Sequence, residues 1–115
     1  MISTSGNLHL SPPSGSSVII NDGNGLYLTT DKNYRDFELR VDYKTVPKAD
    51  SGIYLRGTSK AQLNIWCWPI GSGEVYGYRM DQKMPPAVRA GVTPKLRADK
   101  PVGEWNTFEI TLKGD

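Results

Sequence analysis

The side chains best suited to chemistry cluster between positions 54 and 79. Tyr54 and Arg56 alternate along one stretch, Gln62, Asn64 and Trp66 along the next. Glu74, Tyr76, Tyr78 and Arg79 follow in the Gly-rich run Gly71–Arg79. If the first two stretches are paired strands, their five side chains share the face opposite the aliphatic residues. Aromatic rings beside planar hydrogen-bonding groups suit a sugar: the C–H face packs on Trp66 or Tyr54, and hydroxyls bond to Arg56, Gln62 and Asn64. Glu74, Tyr76 and Tyr78 also share a face by spacing. Glu74 is then the candidate proton-transfer group, provided the Gly-rich run folds over the patch. Two plainer arrangements stay open. Trp66 could fill a second apolar layer beneath residues 69–103, and Glu74 could be a surface carboxylate paired with Arg79 or Arg89.

Other chemistries are excluded or weak. A single Cys rules out an intramolecular disulfide and any multi-cysteine metal site, and a single His rules out two-His zinc motifs. Cys67 alternates with Leu63 and Ile65 and reads as a small buried hydrophobe. Ser51 has no His near it in sequence and reads as a turn residue; His9 reads as solvated. Gly71-Ser72-Gly73 lacks the Lys-Ser/Thr and the helix of a phosphate loop. Asn64–Trp68, where a sandwich glycosidase would carry paired carboxylates, holds none. No cofactor signature is evident. A lone divalent ion such as calcium, held by carboxylate and backbone oxygens, leaves little trace in sequence, so metal use stays open. A net charge of +2 gives no electrostatic case for nucleic acid. No apolar run is long enough to span a membrane, and Met1–Gly6 shows neither the basic nor the apolar part of a signal peptide.

The elements that must position these groups are strands. With 115 residues there is room for one domain. Residues 1–16 are Ser-, Gly- and Pro-rich and irregular, with a short strand at 8–10. Residues 17–30 look like a hairpin turning at Asn21–Gly25. In Asp36–Lys44, Phe37, Leu39, Val41 and Tyr43 alternate with charged residues, as in a strand with one wet face. Gly52–Arg56 and Ala61–Trp68 alternate likewise, and Trp105–Lys113 turns Phe108, Ile110 and Leu112 inward. Residues 69–103 read as a long ordered loop, with short strands near 74–78 and 88–92 and no convincing helix; loops of this length are usually functional. Short strands separated by Gly, Pro and Asn turns predict an all-β antiparallel sandwich or barrel.

Ala49-Asp50-Ser51-Gly52-Ile53-Tyr54-Leu55-Arg56-Gly57, preceded by the 36–44 strand, resembles the signature of the 3-keto-disaccharide hydrolase family. Lys100–Asn106 with Phe108-Glu109-Ile110 resembles its later Gly-Glu-Trp-Asn strand, and Asn64–Arg79 is similar to the insert of one subgroup. The resemblance spans roughly residues 22–115 and implies a concanavalin-A-like jelly roll with a carbohydrate ligand on its concave face. It also implies hydrolysis of 3-keto-glycosides, in which the carbonyl acidifies a neighbouring C–H and the glycosidic bond leaves by elimination and hydration. Arg56 carries over as the motif arginine, a carbonyl or hydroxyl ligand. Many members place Tyr-Glu-x-Gln after Leu-Arg-Gly; here Gln62 replaces the Glu and Asn64 the Gln, leaving Glu74 to act as base. Family domains continue past the Trp105-Asn106 strand. A jelly roll ending at Asp115 is expected to be incomplete, with open sheet edges that favour a homodimer or larger homo-oligomer. The family is also compatible with export. The expected site is Glu74 and Arg56 for catalysis, and Tyr54, Gln62, Asn64, Trp66, Tyr76 and Arg79 for substrate. The rivals are a non-catalytic carbohydrate-binding module and a truncated, self-associating chain without activity.

Overall fold

Strands dominate because β-branched and aromatic residues recur at every second position between Gly, Pro and Asn turns. The structure, a computed structural model, describes residues 3–5, 9–10, 19–24 and 27–114. Among these residues eight strands run in the order β1 (Ser3–Ser5), β2 (His9–Leu10), β3 (Ile19–Ile20), β4 (Leu28–Thr29), β5 (Phe37–Lys44), β6 (Asp50–Tyr54), β7 (Gln62–Trp66) and β8 (Asn106–Leu112). They form two four-stranded sheets, ordered β4-β1-β6-β7 and β3-β2-β5-β8. Every pairing is antiparallel. The fold is therefore all-β, as the alternation predicts.

The sheets meet through Ile53, Leu55 and Ile65 from one side and Tyr43 from the other, with Phe37, Val41, Leu63, Phe108, Ile110 and Leu112 packed around them. Ile53 and Ile65 are completely buried. The register of β5 on β8 sets Leu39 opposite Ile110 and Val41 opposite Phe108 on the inner face, and Arg40 opposite Glu109 on the outer one. Opposite charges facing each other across a ladder stabilise it modestly. The period-2 pattern of residues 36–44 thus becomes one apolar wall and one solvated wall.

Several expectations fail. The hairpin over residues 17–30 does not form: β3 pairs with β2 and β4 with β1, in different sheets. Apolar runs of two or three residues carry no information about which partner they choose. The strand expected near 88–92 is instead a short helix, α1 (Pro86–Gly91), begun by a proline at its first position. Ser51 sits in β6, not in a turn, and is buried. Cys67 is only half-buried. Of residues 1–16, expected to be irregular with one short strand at 8–10, Ser3–Ser5 forms β1 and His9–Leu10 forms β2; the rest of that segment and the expectation for the His9 side chain lie outside the described residues.

Candidate functional site

Strand register decides which side chains share a surface, because residues directly opposite project to the same side. In the β6–β7 ladder Tyr54 faces Gln62, Gly52 faces Asn64 and Asp50 faces Trp66. Ser51 with Ile65 and Ile53 with Leu63 take the other side, toward the core. Tyr54, Gln62, Asn64 and Trp66 are thereby brought to one face.

Beyond β7 the chain returns and extends this face. Leu63 bridges Val75, and the Tyr76 N–H donates to the Gln62 carbonyl at 2.9 Å. The Gly73 N–H donates to the Asn64 carbonyl at 2.9 Å, while the Asn64 N–H donates to the Glu74 carbonyl at 2.8 Å. Two residues, Gly73 and Glu74, thus oppose the single residue Asn64, which is a β-bulge led by a glycine at φ 104°. Bulges re-aim side chains, and this one sets Glu74 beside Asn64. Tyr76 falls on the same face, its ring 6.1 Å from that of Trp66 and nearly perpendicular to it. Tyr78 leaves the face: Gly77, also at φ 104°, interrupts the alternation, and the Tyr78 hydroxyl donates to the Lys60 carbonyl at 2.7 Å.

Asn64 and Glu74 are 1% and 2% exposed. The Asn64 Oδ1 accepts from Gln62 Nε2 at 3.0 Å. Glu74 Oε1 lies 3.3 Å from Arg79 Nε, an ion-pair distance without the alignment of a hydrogen bond. Asn64 Nδ2, Glu74 Oε2 and Arg79 Nε are all buried without a hydrogen-bond partner. A buried polar atom left without a hydrogen bond costs on the order of 1–3 kcal/mol; two of these atoms belong to the Glu74–Arg79 ion pair, and the third to Asn64, which is joined to Glu74 through the backbone. Arg79 also reaches outward. It lines a cavity of about 350 Å³ with Met80, Pro86, Arg89, Ala90 and Thr93. Arg89, which the sequence offers as an alternative partner for Glu74, instead donates from Nε to the Arg79 carbonyl at 3.3 Å.

Trp66 is held rather than loose. Its Nε1 donates to the Gly71 carbonyl at 2.6 Å and its backbone N–H to Ser72 Oγ at 3.2 Å. Tyr54 stacks at a tilt on Tyr27, with ring centroids 5.2 Å apart. A hydrogen bond to Tyr27 holds the Tyr54 phenol above the ordinary tyrosine value.

Arg56 is not brought to this face. Its backbone is left-handed, φ 58°, followed by Gly57 at φ 66°, which ends the strand alternation after Leu55. The guanidinium turns to the Gly114 carbonyl and lies 3.8 Å from Asp36 Oδ1. The shared surface expected of residues 54, 56, 62, 64 and 66 is thus a surface of four, and Asn64 forms its floor rather than its rim. Arg79 supplies the guanidinium that Arg56 does not. Asp99 carries no signal in the sequence: its Oδ2 accepts the Ser72 N–H at 2.8 Å and so ties residues 97–100 to the loop before the bulge, and no local spacing announces a contact across 27 residues. Among the described residues no cluster of three His, Cys, Asp or Glu converges as a metal site, and no helix is long and apolar enough to cross a membrane.

The chain is a two-sheet antiparallel domain with buried polar residues, Asn64 and Glu74, beside the aromatic pair Trp66 and Tyr76. The family model described as the 3-keto-alpha-glucoside-1,2-lyase-like domain matches residues 7–115, and the chain belongs to that family. No curated protein and no solved structure is matched by the chain.

Proposed function

We propose that this domain cleaves 3-keto-glycosides by elimination across C1 and C2, with Glu74 as the proton-transfer residue. The observation that carries this reading is the trio of buried atoms without a hydrogen-bond partner, Glu74 Oε2, Asn64 Nδ2 and Arg79 Nε. They supply one acceptor and two donors, which is what proton abstraction next to a carbonyl needs. The ketone at C3 acidifies the C2–H bond. Glu74 takes that proton, and the electron pair moves onto the ketone oxygen as an enolate stabilised by the Asn64 and Arg79 N–H groups. Collapse of the enolate forms the C1–C2 double bond and breaks the bond from C1 to the glycosidic oxygen. Protonated Glu74 returns its proton to the departing oxygen. Water adding across the double bond would complete a net hydrolysis. No carboxylate pair is needed, which accommodates Gln62 in place of the family Glu. Trp66 and Tyr76 supply the apolar wall for the ring. The carboxylate is reached when the carbonyl draws the part-exposed Arg79 away from Glu74.

The second reading is a non-catalytic carbohydrate-binding module. The 2% exposure of Glu74 favours it, since a sealed ion pair would be structural and only Tyr54, Gln62, Trp66 and Tyr76 would meet the sugar. The two separate on incubation with a 3-keto-glucoside, with and without added divalent ions, followed by absorbance of the conjugated enone and release of the aglycone. Cleavage of the ketone but not of its parent glucoside supports the lyase reading. Binding without cleavage under both conditions supports the module.

A further inference from the structure

At the end of the sandwich, past the last residues of β5 and β7, lies a cavity of about 260 Å³ separate from the Glu74–Arg79 ion pair. Pockets for drug-sized ligands start near roughly 300 Å³, so this one is sized for a single small ring. Trp66 forms part of its wall, together with Thr45 and Cys67, and Arg97, Asp99 and Lys100 line it from the segment that crosses over. The segment comes close because position 71 is a glycine. A Cβ there would stand 2.6 Å from Asp99 Oδ2 and 2.9 Å from Arg97 Cγ.

The charges are unevenly committed. Asp99 accepts the Ser72 N–H through Oδ2. Asn106 accepts the Lys100 backbone N–H through Oδ1 at 2.9 Å, which leaves the ammonium group free of that contact. Among the described residues neither Arg97 nor Lys100 forms an ion pair. The cavity therefore presents two unpaired cations against one carboxylate already engaged by a backbone donor, beside an indole ring. An indole wall accepts the face of a sugar ring, while a guanidinium and an ammonium accept an anionic substituent.

We propose that this cavity is a subsite for a sugar ring carrying one anionic group, a carboxylate or a phosphate. Trp66 belongs both to the wall of this cavity and to the face that holds Tyr76, so the cavity would seat a second ring near the one at the Glu74 cluster. The binding claim itself does not depend on cleavage.

Calorimetric titration at low ionic strength with glucose, glucuronate, glucose 6-phosphate and inorganic phosphate tests it. Glucuronate and glucose 6-phosphate should each bind about tenfold more tightly than glucose, and the advantage should fade as salt is raised. Arg97→Gln with Lys100→Gln should erase the advantage, and Lys100→Glu should invert it; both positions are exposed, so the fold should survive, as circular dichroism would verify. Inorganic phosphate binding as tightly as glucose 6-phosphate would reduce the cavity to a simple anion trap and overturn the sugar part. Equal binding of glucose and glucuronate, no binding of either, or an advantage that survives the double substitution would overturn the whole. If the acid preference is absent while 3-keto-glucosides are cleaved, only this inference falls. If it is present without cleavage, only the lyase reading falls.

Discussion

The Gln62 side chain lies directly over Gly52: a Cβ at that glycine would stand 2.6 Å from Gln62 Nε2 and 2.8 Å from its Cγ. From there Nε2 reaches Asn64 Oδ1, which fixes the amide and leaves Nδ2 as a buried donor without a hydrogen-bond partner. The glycine of the Ser51-Gly52-Ile53 motif is therefore a matter of space at the site. Gly52→Ala also brings its Cβ to 2.9 Å from the Leu63 carbonyl, a backbone atom that yields poorly. The substitution should cost about 1–3 kcal/mol of stability. It should also raise KM for a 3-keto-glucoside more than it lowers kcat, since it disturbs positioning and leaves the base in place. Urea denaturation and steady-state kinetics check the two effects.

Gly73 tests the bulge separately from any steric effect. A Cβ there would meet only Phe108 Cε1, at an ordinary 3.9 Å, but φ is 104°. An L-residue in a left-handed conformation costs about 1–2 kcal/mol. Gly73→Ala should destabilise by that amount, or relax the bulge and swing Glu74 away from Asn64. In the second case stability is largely kept and kcat falls. Thermal melts read beside turnover distinguish these outcomes.

The Glu74–Arg79 contact predicts non-additive energetics. Arg79→Met leaves a buried carboxylate without its cation and should cost about 1–3 kcal/mol, allowing for the partial exposure of the arginine. Adding Glu74→Gln removes the stranded charge and should recover part of the loss. A double-mutant cycle in urea that shows strict additivity would mean the two groups do not interact.

Tyr43 gives an alkaline limit to stability. Burial pushes its phenol up from 10.0 to about 12, opposed by a hydrogen bond to Ser72 and reinforced by the Asp99 charge. The pKa is raised on folding, so the neutral phenol is the form the fold favours. Its contribution is complete below pH 10, declines as pH rises from about 10 to about 12, and is gone above that. Two pKa units correspond to about 2–3 kcal/mol. Urea midpoints should fall across that interval for the native chain and much less for Tyr43→Phe.

How far the residues announced this arrangement differs from element to element. The alternation of 36–44 and 106–112 was readable because each strand buries one face, and a one-residue slip would expose every apolar side chain. The shared face of Tyr54, Gln62, Asn64 and Trp66 followed from a tight connection between two alternating strands. Arg56 leaves the face that alternation predicts because strand periodicity assumes extended backbone, and the left-handed pair at 56–57 ends it without any change in residue pattern. The bulge at 73 and the helix at 86–91 involve too few residues to show a period. The partners of β3 and β4 are chosen by long-range packing, to which Asn21–Gly25, a turn signal in its own right, is indifferent.

Proton exchange at C2 of a bound 3-keto-glucoside in deuterated water, followed by proton NMR, tests the assignment of Glu74 most directly. The native domain should wash out the C2 proton at least as fast as it forms the enone, and Glu74→Gln should slow both by about 100-fold or more while still binding the ketone. Unchanged C2 exchange and enone formation in Glu74→Gln would contradict the account.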